Sequence, residues 1–137
     1  MNNIFILLTM IFLHIIDDYK LQQGVLANLK QKSWWQKEVG YKKLYKYDYI
    51  PALILHGFSW TFMIMLPIAI SLKFNIGWWI IAYIVNSAIH SFVDDLKANK
   101  LKINLIVDQS IHILQIVTTW VIFCVYGEID FEKYTYI

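Results

Sequence analysis

From Tyr49 to Leu72 the chain runs for 24 residues without a single Asp, Glu, Lys or Arg. A bilayer core is crossed by about 20 predominantly apolar residues, with a range of about 17–25, so this run is long enough to span a membrane as a helix. Two further runs, Gly77 to Val93 and Ile103 to Tyr126, qualify in the same way. A fourth, Ile4 to Ile16, is short. It reaches spanning length if the helix continues through Asp17, Asp18 and Tyr19 to Leu21 with its acids turned inward, away from lipid. Hydrophobic residues make up 58% of the chain, against about 45–50% in ordinary soluble domains. The expectation is an all-α polytopic membrane protein. Residues 1–137 form one membrane domain, with transmembrane helices over 3–21, 49–72, 76–95 and 103–126 in a bundle and an interfacial helix or loop over 22–48.

No Lys or Arg precedes the first apolar run and no small-x-small site follows it, so it reads as a retained helix rather than a secretory signal. The single cysteine, Cys124, falls inside the last run; with no partner for a disulfide, it reads as a small packing residue.

All twelve basic residues are lysines. Lys20, Lys30, Lys32, Lys37, Lys42, Lys43 and Lys46 fall between the first two runs, and Lys97, Lys100 and Lys102 between the last two, leaving Lys73 and Lys133 for the other side. Lysine-rich loops stay cytoplasmic, which predicts cytoplasmic loops over 22–48 and 96–102 and both termini outside. The acidic tail, with Glu128, Asp130 and Glu132, agrees. Trp34, Trp35, Tyr41, Tyr45, Tyr47 and Tyr49 lie among the lysines of the first loop, a mixture suited to the headgroup layer rather than to nucleic acid. Asp48 and Pro51 mark the start of the second helix, and Pro67 is a candidate kink.

Ionisable residues recur at the edges of the runs: His14, Asp17 and Asp18; His56; His90, Asp94 and Asp95; Asp108 and His112. With alternating helix direction they all occupy one slab of the membrane, on the cytoplasmic side. His14 and Asp18, His90 and Asp94, and Asp108 and His112 are each four apart, so each pair shares a helix face about 6 Å along the axis. A charge at the bilayer centre costs about 2.5–3.5 kcal/mol on insertion scales, so these groups should face one another, paired or bound to a cation. Histidine with carboxylate is the ligand set of zinc, manganese or iron. The candidate ligands of one or two divalent ions are His14, Asp18, His56, His90, Asp94, Asp108 and His112. Asp17 and Asp95, off the shared face, read as interfacial acids near Lys20 and Lys97. The bland account of each pair is a plain interhelical hydrogen bond.

The strings His14-x-x-x-Asp18-Tyr19-x-Leu21-Gln22, His90-x-x-x-Asp94-x-x-Lys97 and Asp108-Gln109-x-x-His112, with a lysine- and tryptophan-bearing loop and a histidine in the second span, resemble an uncharacterised family of small multi-pass bacterial and phage membrane proteins. The resemblance covers residues 5 to 120 and implies four membrane helices sharing a polar site, without implying a reaction. Looser similarity extends to proteins described as membrane-bound metal-dependent hydrolases. The doubled acids, Asp17-Asp18 and Asp94-Asp95, depart from the pattern; four-residue spacing favours Asp18 and Asp94 as the inward members.

Three functional classes follow. The first is a membrane-embedded metal-dependent hydrolase acting on a phosphorylated or ester-bearing lipid or nucleotide. Asp18, Asp94 and Asp108 are its candidate catalytic carboxylates, and Lys97, Gln22 and Gln109 its candidate substrate contacts. The second is a divalent-cation or proton transporter, disfavoured because the outer halves of the spans offer only Ser71, Thr118, Thr119 and similar weak groups, unless the chain forms a homo-oligomer. The third is a non-enzymatic membrane factor with a structural His/Asp cluster. No Ser-His-Asp order, Gly-rich phosphate loop or zinc-protease motif is present.

Overall fold

The computed structural model describes residues 2–40, 43–72 and 75–126. Helix α1 (Asn3–Ile16) continues without a break into a π-helical turn, Asp17–Leu21. Two short helices follow, α2 (Val25–Leu29) and α3 (Lys32–Val39), and then a 3-10 turn at Lys43–Tyr45. Three long helices complete the chain: α4 (Tyr49–Ser71), α5 (Ile76–Ala98) and α6 (Leu105–Trp120), the last prolonged by a π-helical stretch, Val121–Tyr126. No strand occurs among the described residues. Three segments are long and apolar enough to cross a membrane: Lys43–Ser71, Ile76–Ala98 and Leu105–Tyr126. The first helix is continuous to Leu21 but ends in Asp17, Asp18 and Lys20, and does not meet that measure. The acidic tail and Lys73, on which part of the expected topology rested, lie outside the described residues.

Asparagines begin three of these helices. Asn2, Asn75 and Asn104 each accept, through the side chain, from backbone N–H groups of the first turn, at Ile4, at Gly77 and Trp78, and at Val107. Such caps satisfy donors that have no intrahelical partner. Asp48 makes no such bond; α4 starts at Tyr49 with Pro51 in its first turn and runs unbroken through Pro67. The segment expected as an interfacial helix or loop is broken into short helical pieces. Gly24 (φ 66°) and Gly40 (φ 72°) adopt the left-handed backbone that L side chains rarely take, and they bracket α2 and α3.

α4 packs against α1 and α5, and α6 against α1 and α5, closing a ring of four. The ring is apolar outside. Ile4, Phe5, Leu8, Phe12 and Ile15 of α1, Ile54, Leu55, Phe58 and Phe62 of α4, and Ile80, Ile81 and Ile84 of α5 are all exposed. In water this would be a very large apolar surface; against hydrocarbon it costs nothing. Inside, one half is apolar, built from Ile6, Met10, Trp60, Ile64, Met65, Ile68, Tyr83, Ile116, Phe123 and Cys124. The other half is polar.

The α4–α5 crossing is the closest. A Cβ placed on Gly57 would lie 2.8 Å from the Ser87 carbonyl oxygen and 3.3 Å from Ser91 Cβ, while Ser91 Oγ donates to Leu53 O (3.0 Å) and Tyr83 OH to Phe58 O (2.7 Å) across the same seam. Small residues at such seams let backbones approach. Gly57→Ala is therefore expected to force the two helices apart and cost about 1–3 kcal/mol, the usual range for overpacking. Unfolding of the detergent-solubilised variant beside wild type checks this, and an unchanged midpoint would contradict it.

Candidate metal centre

Each helix brings its polar residues to the same end of the ring. α1 supplies His14 and then, through the wider π turn, both Asp17 and Asp18; α4 supplies His56, Ser59 and Trp60; α5 supplies His90 and Asp94; α6 supplies Asp108 and His112. A π turn inserts one residue into the α-helical spacing and re-aims the side chains that follow it. Of these ionisable groups all are buried except Asp18, whose side chain is about a tenth exposed.

The donors converge tightly. His56 Nε2 and His90 Nε2 are 2.9 Å apart, and His56 Nε2 lies 2.9 Å from Asp94 Oδ2. Asp18 Oδ1 stands 3.6 Å from His56 Nε2 and 4.0 Å from His90 Nε2. On the α6 side, His112 Nε2 is 3.4 Å from Asp108 Oδ1 and 3.5 Å from Asp94 Oδ1. Two ligands of a tetrahedral ion with bonds of about 2.0–2.1 Å sit about 3.4 Å apart, so these separations suit a small divalent cation. Two overlapping triads, Asp18-His56-His90 and His90-Asp94-His112, can each hold a metal ion.

Asp18, Asp94 and Asp108 each have one oxygen tied and the other turned toward the histidines. Asp94 Oδ2 takes Lys30 Nζ at 2.5 Å. Asp108 Oδ2 takes Lys97 Nζ at 2.5 Å and the Gln109 amide at 3.1 Å. Asp18 Oδ2 accepts from the same Gln109 amide at 3.2 Å. Meanwhile Asp18 Oδ1, Asp108 Oδ1 and His112 Nε2 are buried without a hydrogen-bond partner. Buried polar atoms are almost always partnered, so unpartnered lone pairs within this cluster fit an ion bound among its donors.

No family model matches the chain, and no curated protein or solved structure is detectably similar to it. The chemistry of the site rests on its own residues.

His112 is held as a metal-binding imidazole should be. Its Nδ1 contacts Gln115 Oε1 at 3.3 Å, while the Gln115 amide donates to Asn86 O (3.2 Å) and Asn86 Oδ1 (3.3 Å). Asn86 in turn donates to Thr119 Oγ1 at 2.9 Å. With its amide so engaged, Gln115 presents only its carbonyl to His112, which places the ring proton on Nδ1 and leaves the Nε2 lone pair facing the cluster. Removing such an outer partner typically lowers metal affinity about 10–100-fold. Gln115→Leu is expected to do so, read by zinc titration; undiminished affinity would show that the network does not orient His112.

His14, one of the expected ligands, is occupied elsewhere. Trp60 Nε1 donates to its Nδ1 at 2.7 Å, and its Nε2 lies 3.1 Å from Gln109 Oε1. An indole N–H only donates, so the His14 proton sits on Nε2 and both nitrogens are used. It braces Gln109, which in turn bridges Asp18 and Asp108. Asp17 is not an interfacial acid: it is fully buried and accepts from Ser59 Oγ (2.8 Å) and Gln22 Nε2 (3.2 Å), with His56 Nδ1 at 4.0 Å. It stands three residues after His14, a spacing that itself shares a helix face. Asp95 does lie outside the cluster, but with Lys100 (2.9 Å) rather than Lys97. Gln22 and Gln109 both contact carboxylates, and Lys97 reaches Asp108 rather than Asp94.

Trp60, Gln115, Asn86 and Lys30 carry no functional signal in the sequence. Trp60 is fully buried and stacks on His90, with centroids 4.2 Å apart and planes at 17°.

Proposed function

We propose that this chain crosses the membrane four times, with its lysine-rich loops cytoplasmic, and that the His/Asp cluster binds one divalent metal ion and hydrolyses a phosphorylated or ester-bearing lipid or nucleotide. The observation that carries the reading is the set of inward, unpartnered lone pairs on Asp18, Asp108 and His112, arranged beside the His56–His90 pair. A first span ending at Leu21 is supported by the outward apolar stripe of α1 and by the inward burial of Asp17.

Charge supports a single ion. Asp17, Asp18, Asp94 and Asp108 bring four negative charges and Lys30 and Lys97 two positive ones; with neutral imidazoles, the remaining two negative charges match one divalent cation. Uncompensated charges are too costly to bury. Either triad, Asp18-His56-His90 or His90-Asp94-His112, would hold the ion, and zinc, manganese and iron all suit such donors. When bound, such an ion supplies Lewis acidity, lowering the pKa of water toward about 7 and polarising the oxygen under attack. Asp108, held by Lys97 beside His112 and outside both triads, is the candidate proton acceptor.

Transport has one observation in its favour, the polar chain running from His112 through Gln115 and Asn86 to Thr119. Beyond it the bundle is packed with Ile6, Ile64, Ile68, Phe123 and Cys124, which offers an ion no path. Elemental analysis of the purified protein tests the shared premise. About one divalent ion per chain is expected, together with chelator-sensitive turnover of phosphate esters or lipids. Protein that takes up no metal would sink the reading.

A further inference from the structure

Lysines on a metal site's carboxylates balance its charge, but each ammonium also repels the cation, and fewer carboxylates would balance the charge without that repulsion. Here there are two such lysines. Lys97 comes from the last turn of α5, whereas Lys30 comes from the broken segment between α1 and α4, 64 residues before its partner Asp94. That segment is pinned for the purpose. Asn99, at the end of α5, donates through Nδ2 to the Lys30 carbonyl (3.1 Å) and accepts through Oδ1 from the Lys32 backbone N–H (2.7 Å). Trp35 Nε1 also donates to the Leu29 carbonyl, at 2.7 Å. The fold therefore fixes the backbone on either side of Lys30 while its side chain reaches inward to Asp94.

The lysines lie at the rim. Their side chains are 16% and 31% exposed, against 3% and 0% for the carboxylates they touch. The cluster thus has carboxylates at its buried floor and two ammonium groups at its more exposed rim. A cationic rim favours an anion. Ammonium groups serve as point-charge phosphate binders and offer three donors each.

We infer that Lys30 and Lys97 form a phosphate-binding subsite above the metal centre, and hence that the substrate is a phosphate ester rather than a neutral carboxylic ester. The inference rests on the metal-dependent reading above. Once a divalent ion shares the carboxylates, the two ammonium groups are partly released from them and grip the phosphate, with one phosphate oxygen directed to the floor.

The test uses the full chain, purified in detergent and loaded with zinc or manganese, with inorganic phosphate as probe. Wild type is expected to bind phosphate, and Lys30→Gln and Lys97→Gln to bind it at least about tenfold more weakly while keeping or tightening their hold on the metal, because a repelling charge has gone. Lys30→Arg should retain binding, which separates loss of charge from loss of fold. Lys32→Gln, which alters a lysine two residues away, should match wild type. If metal-loaded Lys30→Gln binds phosphate as wild type does, or if Lys32→Gln weakens it equally, the subsite assignment falls while the metal centre stands. A wild type that takes up no metal overturns the reading beneath it, and the inference with it. A second arm adds phosphatidate in mixed micelles: competition with inorganic phosphate in wild type but not in Lys30→Gln assigns a lipid headgroup, and no competition a soluble phosphate ester. Both outcomes uphold the lysine assignment.

Discussion

Asp94→Asn should abolish metal binding with the smallest change of shape the site allows. Asp94 bridges the two sides of the cluster: its Oδ2 meets Lys30 and His56, and its Oδ1 faces His112. The amide keeps the volume and removes the charge. Affinity for zinc is expected to fall by about 100-fold or more, beyond what loss of an outer partner brings. The apoprotein should also weaken, because Lys30 is then left largely buried without a counter-charge; breaking a buried pair by removing one partner costs about 3–5 kcal/mol. Competition with a chromophoric chelator measures the first effect and denaturant unfolding in detergent the second. Asp95→Asn is the matched control, since that acid pairs with Lys100 away from the cluster. Equal metal binding by the Asp94→Asn variant and wild type would remove Asp94 from the site.

The second large effect is expected at Trp60, where the apolar and polar halves of the bundle meet. The indole packs in the hydrophobic cluster, stacks on His90 and holds the lone pair of His14. Trp60→Ala should cost about 3–5 kcal/mol through lost burial and the cavity left behind. Trp60→Phe keeps most of the packing but orphans His14 Nδ1, a loss of about 1–3 kcal/mol. The two variants therefore separate volume from hydrogen bonding. If Phe is tolerated as well as Trp in unfolding and in metal affinity, the bond to His14 contributes nothing.

Much of this arrangement is readable from the chain because membrane helices obey few rules. Long apolar runs and the four-residue spacing of His and Asp follow directly from helix geometry, and the structure brings His56, His90, Asp94, Asp108 and His112 to one place. What escapes such a reading has identifiable causes. Asp17 is misplaced when only four-residue spacings are counted, because three-residue neighbours share the same helix face. His14 has the spacing of a ligand, but spacing does not say whether an imidazole's lone pair is already taken. Trp60 and Gln115 sit inside apolar runs, where an aromatic reads as packing and a lone amide as a weak polar group. Lys30 is hidden among lysines whose number is explained by topology alone; only the clamp from Asn99 singles it out.

The wide turn that closes α1 has a consequence for biosynthesis. Asp17 and Asp18 leave the ribosome first, yet Ser59 follows 42 residues after Asp17 and Gln109 trails Asp18 by 91. In the interval the nascent segment carries two unneutralised carboxylates, an expensive burden at any depth in hydrocarbon. If α1 is the fourth span proposed above, it would wait near the headgroups and sink to its final level only when the later spans arrive, so that maturation of the polar pocket and completion of insertion would be one event.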